Sequence, residues 1–147
     1  ADFVIIIALI EDRKPILGVV YAPELDKTYY ATAGNDACVI AHNKAPVIIT
    51  RYKENDAGIS PTMKSNPGLS SEHGKPHKIP GNKALALCMV AEGKLEIHSP
   101  MDRTMEWQIA GAHVILNSSG KNIINTDTRE ELTYNKKRFE NSPVLIT

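Results

Sequence analysis

The stretch that most constrains this chain is residues 104–120, Thr-Met-Glu-Trp-Gln-Ile-Ala-Gly-Ala-His-Val-Ile-Leu-Asn-Ser-Ser-Gly. Trp107, Ala110, Gly111, Val114 and Ile115 recur at spacings of three and four, which predicts a helix with one apolar stripe turned inward. Thr104 stands where an N-cap belongs, the helix runs to about Asn117, and Gly120 is a natural stop after Ser118 and Ser119. Ala110, Gly111 and Ala112 are small in succession, which lets another backbone approach closely. The first turn carries Glu106 and Gln108 beside Trp107, the only Trp of the chain. Free N–H groups at a helix start favour anions and phosphates, so this turn is a candidate site. On these residues alone, an ordinary buried helix with a Trp anchor is the plainer reading.

Before that helix the chain is rich in strands. Residues 3–10 (Phe-Val-Ile-Ile-Ile-Ala-Leu-Ile) are continuously apolar and largely β-branched, which predicts a strand covered on both faces. The charged turn at 11–15 leads to a second strand over 16–22, and so short a polar link makes a hairpin. A turn at 23–26, a third strand over 27–32, a turn at 34–36 and a short fourth strand over 37–40 complete an antiparallel meander. Residues 45–50 start another strand, with Pro46 at its edge or entry. Residues 53–78 hold Gly58, Pro61, Pro67, Gly68, Gly74 and Pro76, and read as a long loop, either a connector or a functional segment. A helix over 82–92 ends at Gly93, strands follow at 95–98, 121–125 and 144–147, and the helix of 104–117 lies among them. That alternation predicts an α/β fold, a meander leading into a mixed, largely parallel sheet flanked by two helices, in a single domain spanning 1–147.

The chain's 147 residues suffice for one hydrophobic core. Lys plus Arg and Asp plus Glu are 17 each, so the basic excess of a general nucleic-acid binder is missing. Cys38 and Cys88 are too few for a disulfide framework, which points to a reducing, cytoplasmic setting. The apolar run at 3–10 is too short to span a bilayer and has no secretion-signal flanks. A chain that enters an apolar strand at once, without an initiating Met, reads as part of a longer protein or one rebuilt from it. The acidic residues are scattered through turns, and His42, His73, His77, His98 and His113 show no zinc spacing.

Four phrases carry a resemblance: Lys14-Pro15-Ile16-Leu17-Gly18-Val19-Val20-Tyr21-Ala22-Pro23, Leu87-Cys88-Met89-Val90-Ala91-Glu92-Gly93-Lys94, Thr104-Met105-Glu106-Trp107 and Leu132-Thr133-Tyr134-Asn135-Lys136. Together they resemble the carboxy-terminal half of the inositol monophosphatase superfamily, nearest the 3′(2′),5′-bisphosphate nucleotidases of the CysQ type. The resemblance implies a layered α/β fold and a Mg²⁺-dependent phosphatase acting on 3′-phosphoadenosine 5′-phosphate or related small phosphates. It also implies weak substrate contacts at Gly81, Asn82, Lys83, Glu106 and Trp107. Gln108 stands where the family carries an Asp metal ligand, and a neutral amide is a poor ligand for a hard dication, so tight Mg²⁺ binding is not expected. The family's Glu pair and Asp-Pro-Leu-Asp-Gly-Thr loop belong to its amino-terminal half and have no counterpart here. Gly81-Asn82-Lys83-Ala84-Leu85 matches the family's substrate segment poorly, and strand 3–10 is more apolar than the family pattern.

Three functions follow. The chain is an isolated or engineered carboxy-terminal domain without catalysis of its own; or it is one half of a phosphatase, completed by an amino-terminal half; or it is a non-enzymatic binding module that uses loop 53–78 for a partner. An apolar first strand left at an edge or on an uncovered face further predicts a homo-oligomer.

Overall fold

The computed structural model describes residues 3–49, 69–70 and 80–147. The expected long loop at 53–78 therefore lies outside the described residues, apart from a short strand at its centre. Strands β1 (Ile5–Glu11), β2 (Lys14–Ala22), β3 (Lys27–Thr32), β4 (Cys38–Ala41) and β5 (Val47–Ile48) form a five-stranded sheet in sequence order. Each neighbouring pair is antiparallel, as the meander reading expects. The β1–β2 link is two residues, Asp12 and Arg13, both left-handed with φ of 47° and 65°. That geometry matches the right-handed twist of the strands it joins.

Two helices lie in the described chain, α1 (Lys83–Ala91) and α2 (Glu106–Ser118). Seven of the nine residues of α1 are buried, so it is an interior helix rather than an amphipathic surface one. Helix α2 crosses the sheet at β1, β2 and β3 and packs on α1. A Cβ at Gly18 of β2 would stand 2.1 Å from the carbonyl oxygen of Gly111, so the two main chains touch with no side chain between them. The run of small residues at 110–112 does what its sequence suggests. The core between helices and sheet is built on Val20, Tyr29, Leu87, Ile109, Ile115 and Leu116.

Several expectations are corrected. Among the described residues strand β1 is covered on one face only: Ile6, Ala8 and Ile10 pack against the core, while Ile5, Ile7 and Leu9 are 52–57% exposed. A continuous apolar run hides the period of two that would have shown this. The largely parallel sheet is absent among the described residues, where every strand pairing is antiparallel. Beyond the meander, β6 (Leu69–Ser70) pairs with β7 (Glu96–Ile97), β8 (Thr104–Met105) with β10 (Glu140–Asn141), and β9 (Ile123–Asn125) with β11 (Val144–Ile146), each as a separate two-stranded ladder. Strand–helix alternation does not reveal which segments pair, and these short ladders never join into a crossover sheet. Among the described residues no helix is long and apolar enough to cross a membrane.

The register fixes what each sheet face carries. Ile7 stands opposite Val19, Val19 opposite Tyr30, and Tyr30 opposite Cys38, so these four share the face away from α2. Val20 and Tyr29, paired with each other, lie on the face under the helix.

Candidate functional site

The start of α2 differs from its sequence reading in two ways. Thr104 is not the cap; it is buried in β8 opposite Asn141. The helix begins at Glu106, and its cap is closed from inside, the Gln108 side-chain oxygen accepting the Met105 N–H at 2.7 Å. Trp107 is not an inward anchor: it is 59% exposed and lies edge-tilted against Phe139, ring centroids 6.4 Å apart.

Glu106 is the centre of the local geometry. It is only 6% exposed. One carboxylate oxygen accepts the Asn135 N–H at 2.8 Å, the other accepts the Lys136 N–H at 3.2 Å and meets the Lys136 ammonium at 2.5 Å. The same ammonium donates to the Thr133 carbonyl and to the Asn141 side-chain oxygen, each at 2.7 Å. Asn141 in turn donates to the Thr104 hydroxyl at 3.0 Å. Asn135 itself is left-handed, φ 56°. A carboxylate, an ammonium, an amide and a hydroxyl thus clamp the segment 133–136 onto the helix start. The Tyr134 N–H donates to the Arg13 carbonyl, which brings the β1–β2 turn to the same place.

Behind this clamp His113 is fully buried. Its Nδ1 is 2.9 Å from the Tyr134 hydroxyl and its Nε2 is 3.4 Å from the Asn122 side-chain oxygen. That oxygen also accepts the Ile123 N–H, so it acts as an acceptor. The ring proton therefore sits on Nε2, and the tyrosine hydroxyl donates to Nδ1. Burial lowers the His113 pKa and raises that of Tyr134. A neutral, doubly bonded imidazole with no open side is a packing element.

The segment 81–83 reaches the same region by another route. Asn82 caps α1, its side-chain oxygen accepting the Leu85 N–H at 3.2 Å. Lys83 donates to the carbonyls of Asp102 and Arg103 at 3.1 and 2.9 Å, just before Thr104. Lys83 therefore joins the strand that leads into α2, while Gln108 and Glu106 are engaged with their own surroundings. Between β1 and the helix start lies an open, largely apolar cleft of about 440 Å³, lined by Ile6, Ile10, Trp107, Ala110, Tyr134 and Phe139. Sequence reasoning gave no role to Lys136, Asn135, Asn141 or Tyr134. The phrase Leu132-Thr133-Tyr134-Asn135-Lys136 held most of them, but nothing in it says that Glu106 is its partner.

A resident divalent ion would need several carboxylate oxygens converging on one point. Among the described residues no three His, Cys, Asp or Glu side chains do so, and the Glu106 carboxylate is already filled. The donor set described here does not fit a Mg²⁺ ion.

Comparison with known proteins agrees with the fold. The profile of the inositol monophosphatase family matches residues 1–145. A 3′(2′),5′-bisphosphate nucleotidase CysQ from Aggregatibacter actinomycetemcomitans is 28% identical over 156 residues, covering 99% of this chain and 56% of the relative. The CysQ of Salmonella typhimurium is 28% identical over 131 residues, covering 83% of this chain and 50% of its own. The chain thus spans about half the length of the curated relatives it matches. Among solved structures, CysQ from Bacteroides thetaiotaomicron superposes with a TM-score of 0.64 at 24% identity, covering 99% of this chain and 62% of that one. Staphylococcal IMPase-II gives 0.66 at 23% identity, with 98% and 58% covered. With the family profile matched along nearly its whole length, this chain belongs to the inositol monophosphatase superfamily, and its relatives are of the CysQ type.

Proposed function

We propose that this chain is the carboxy-terminal half of a Mg²⁺-dependent phosphatase of the CysQ type, and that it turns over no substrate by itself. One observation carries the reading: both polar side chains of the first α2 turn are spent internally. Gln108 closes the helix cap, and Glu106 holds Asn135 and Lys136. Two of the amides that would greet an anion at the helix start are also taken, Met105 N–H by Gln108 and Glu106 N–H by the Phe139 carbonyl.

The substrate class is a small phosphorylated nucleotide. In a completed enzyme the wall it meets is formed by Gly81, Asn82, Lys83, Glu106 and Trp107, with Gln108 at the position of the family's metal-binding Asp. Lys83 supports this by bonding the strand that feeds α2, so the two helix starts are held as a unit. The second reading is a working hydrolase completed by an amino-terminal half. The length of the relatives favours it, since about half of each lies outside the match.

The test is Mg²⁺-dependent phosphate release from 3′-phosphoadenosine 5′-phosphate. The chain alone and its Gln108→Asp variant should both match a no-protein blank, although the added carboxylate raises metal affinity. Release by the chain alone, lost on chelation, would overturn the proposal. Release only after an amino-terminal half of a CysQ relative is added would establish the second reading.

A further inference from the structure

We propose that His113 and Tyr134 form a proton-operated latch on the segment 133–136, closed while the imidazole is neutral and released, together with its hold on Glu106, when the ring takes up a proton. The latch lies in the interior of the chain and stands whether or not the chain takes part in catalysis.

Tyr134 is the member of this segment that reaches the core. It is fully buried, and its hydroxyl lies 2.9 Å from His113 Nδ1. Its neighbours make the clamp: the Asn135 and Lys136 N–H groups end on the Glu106 carboxylate, and the Lys136 ammonium ends on the Thr133 carbonyl. The segment thus hangs on one buried phenol, and withdrawing that phenol takes both main-chain donors of Glu106 with it. Glu106 is part of the wall of the cleft beside β1, so release leaves a carboxylate there without those donors.

The chemistry of the ring decides when this happens. In the neutral form Nε2–H donates to the Asn122 oxygen and Nδ1 accepts from the phenol. A further proton can add only at Nδ1. Nδ1–H and the phenol O–H are then two donors face to face. The phenol oxygen can accept only by turning its own hydrogen elsewhere, and among the described residues His113 is its one hydrogen-bond partner. A stranded buried hydroxyl and a buried charge both disfavour the closed state.

The charged groups around the ring are few. Glu131, on the segment after β9, has an oxygen 3.9 Å from Nε2 and already accepts from the Asn117 amide at 3.3 Å. Glu106, earlier on α2 itself, is matched by Lys136. Tyr134 is kept neutral by burial, and Asn122 carries no charge. Among the described residues no charged group of α1 or of the sheet acts on the ring. Burial outweighs the attraction of Glu131 and holds the His113 pKa below its usual 6.5. Once Tyr134 withdraws, water reaches the ring and its ordinary value returns. The open form therefore binds the proton first as pH falls. Opening gains up to about tenfold for each pH unit below that value, until the closed form titrates as well.

Hydrogen exchange by nuclear magnetic resonance on the purified chain, read as protection factors, tests this. Between pH 6.5 and 5.5 protection at Asn135 and Lys136 should fall about fivefold, while the α2 amides around Leu116 keep theirs. The His113 ring nitrogens should show the Nε2–H tautomer at neutral pH and titrate in step with that loss. His113→Gln keeps an acceptor for the phenol but has no titrating group, and should abolish the pH dependence; should it misfold, the ring titration of the unaltered chain takes its place. Protection that does not change with pH overturns the proposal, as does a fall that is equal in His113→Gln or that comes only together with the amides around Leu116. So does a ring that titrates while Asn135 and Lys136 stay protected.

Discussion

Two carboxylates, Glu92 and Glu106, are saturated by lysines and hydrogen bonds, yet they do different jobs. Glu92 closes the end of α1 and gathers side chains: Tyr29 donates its hydroxyl at 2.8 Å, Lys27 lies at 3.3 Å, and Lys94 completes the cluster. Glu106 opens α2 and gathers main chain, two N–H groups of the 135–136 turn together with the Lys136 ammonium. The first ties the sheet to a helix through side chains alone, the buried Tyr29 and two lysines that reach the surface. The second fixes the backbone of a loop, whose amides cannot move away. A glutamate beside the only Trp at a helix start reads, in sequence, as a substrate contact; its partners show that it also works as a clamp on the 135–136 turn.

The comparison breaks most readily at Glu106. Glu106→Ala strands two backbone N–H groups and leaves a half-buried ammonium with neutral acceptors only, and should cost about 3 kcal/mol. For a chain of this size that lowers the melting temperature by roughly 10 °C, measurable by calorimetry. If the loss is no larger than at Glu92, the distinction between the two clusters fails.

Glu92→Gln should cost about 1–2 kcal/mol at neutral pH, because the Tyr29 and lysine hydrogen bonds to a charged acceptor become neutral ones. The pH dependence sharpens the point. Burial acts to raise the Glu92 pKa, but the bonds from Lys94 and Tyr29 and the charge of Lys27 outweigh it and hold the carboxyl below its usual 4.5. The unfolded chain therefore takes up this proton first as pH falls. The stability Glu92 supplies is full above the unfolded value and disappears as pH drops through the lower native one. Denaturant midpoints of wild type and Glu92→Gln should converge over that acid range, and a gap that persists below it would refute the assignment.

The smallest effect belongs to Gln108. Gln108→Ala opens the cap and should cost about 1 kcal/mol, with faster amide exchange at Met105 as the local sign. An unchanged exchange rate would mean that the cap does not hold in solution.

What the sequence disclosed was local. The turn within 11–15, the meander, the stop of α1 at Gly93 and the small-residue approach at Gly111 all rest on patterns a few residues long, and each is found where it was read. What it hid was long-range. Thr104 reads as a cap until its strand partner Asn141, 37 residues on, is known. Trp107 follows the inward spacing of its helix but sits at the end where no layer covers it. Glu106 and Lys136 are thirty residues apart, and no periodicity links them. The exposed half of β1 was hidden for a different reason: a strand apolar at every position gives no clue to which side is covered.

The contact between Gly18 and Gly111 has a consequence for how the molecule moves. Side chains that separate two layers act as bearings; they change rotamer and let one layer slide over the other. Here two main chains meet directly, and Gly111 is hemmed in further by Ile6 and the carbonyls of Ile7 and Val19. Any sliding of α2 along β2 drives one backbone into another, with no rotamer free to yield. Strand and helix are thus a single mechanical body, whose amides should open to solvent together or not at all.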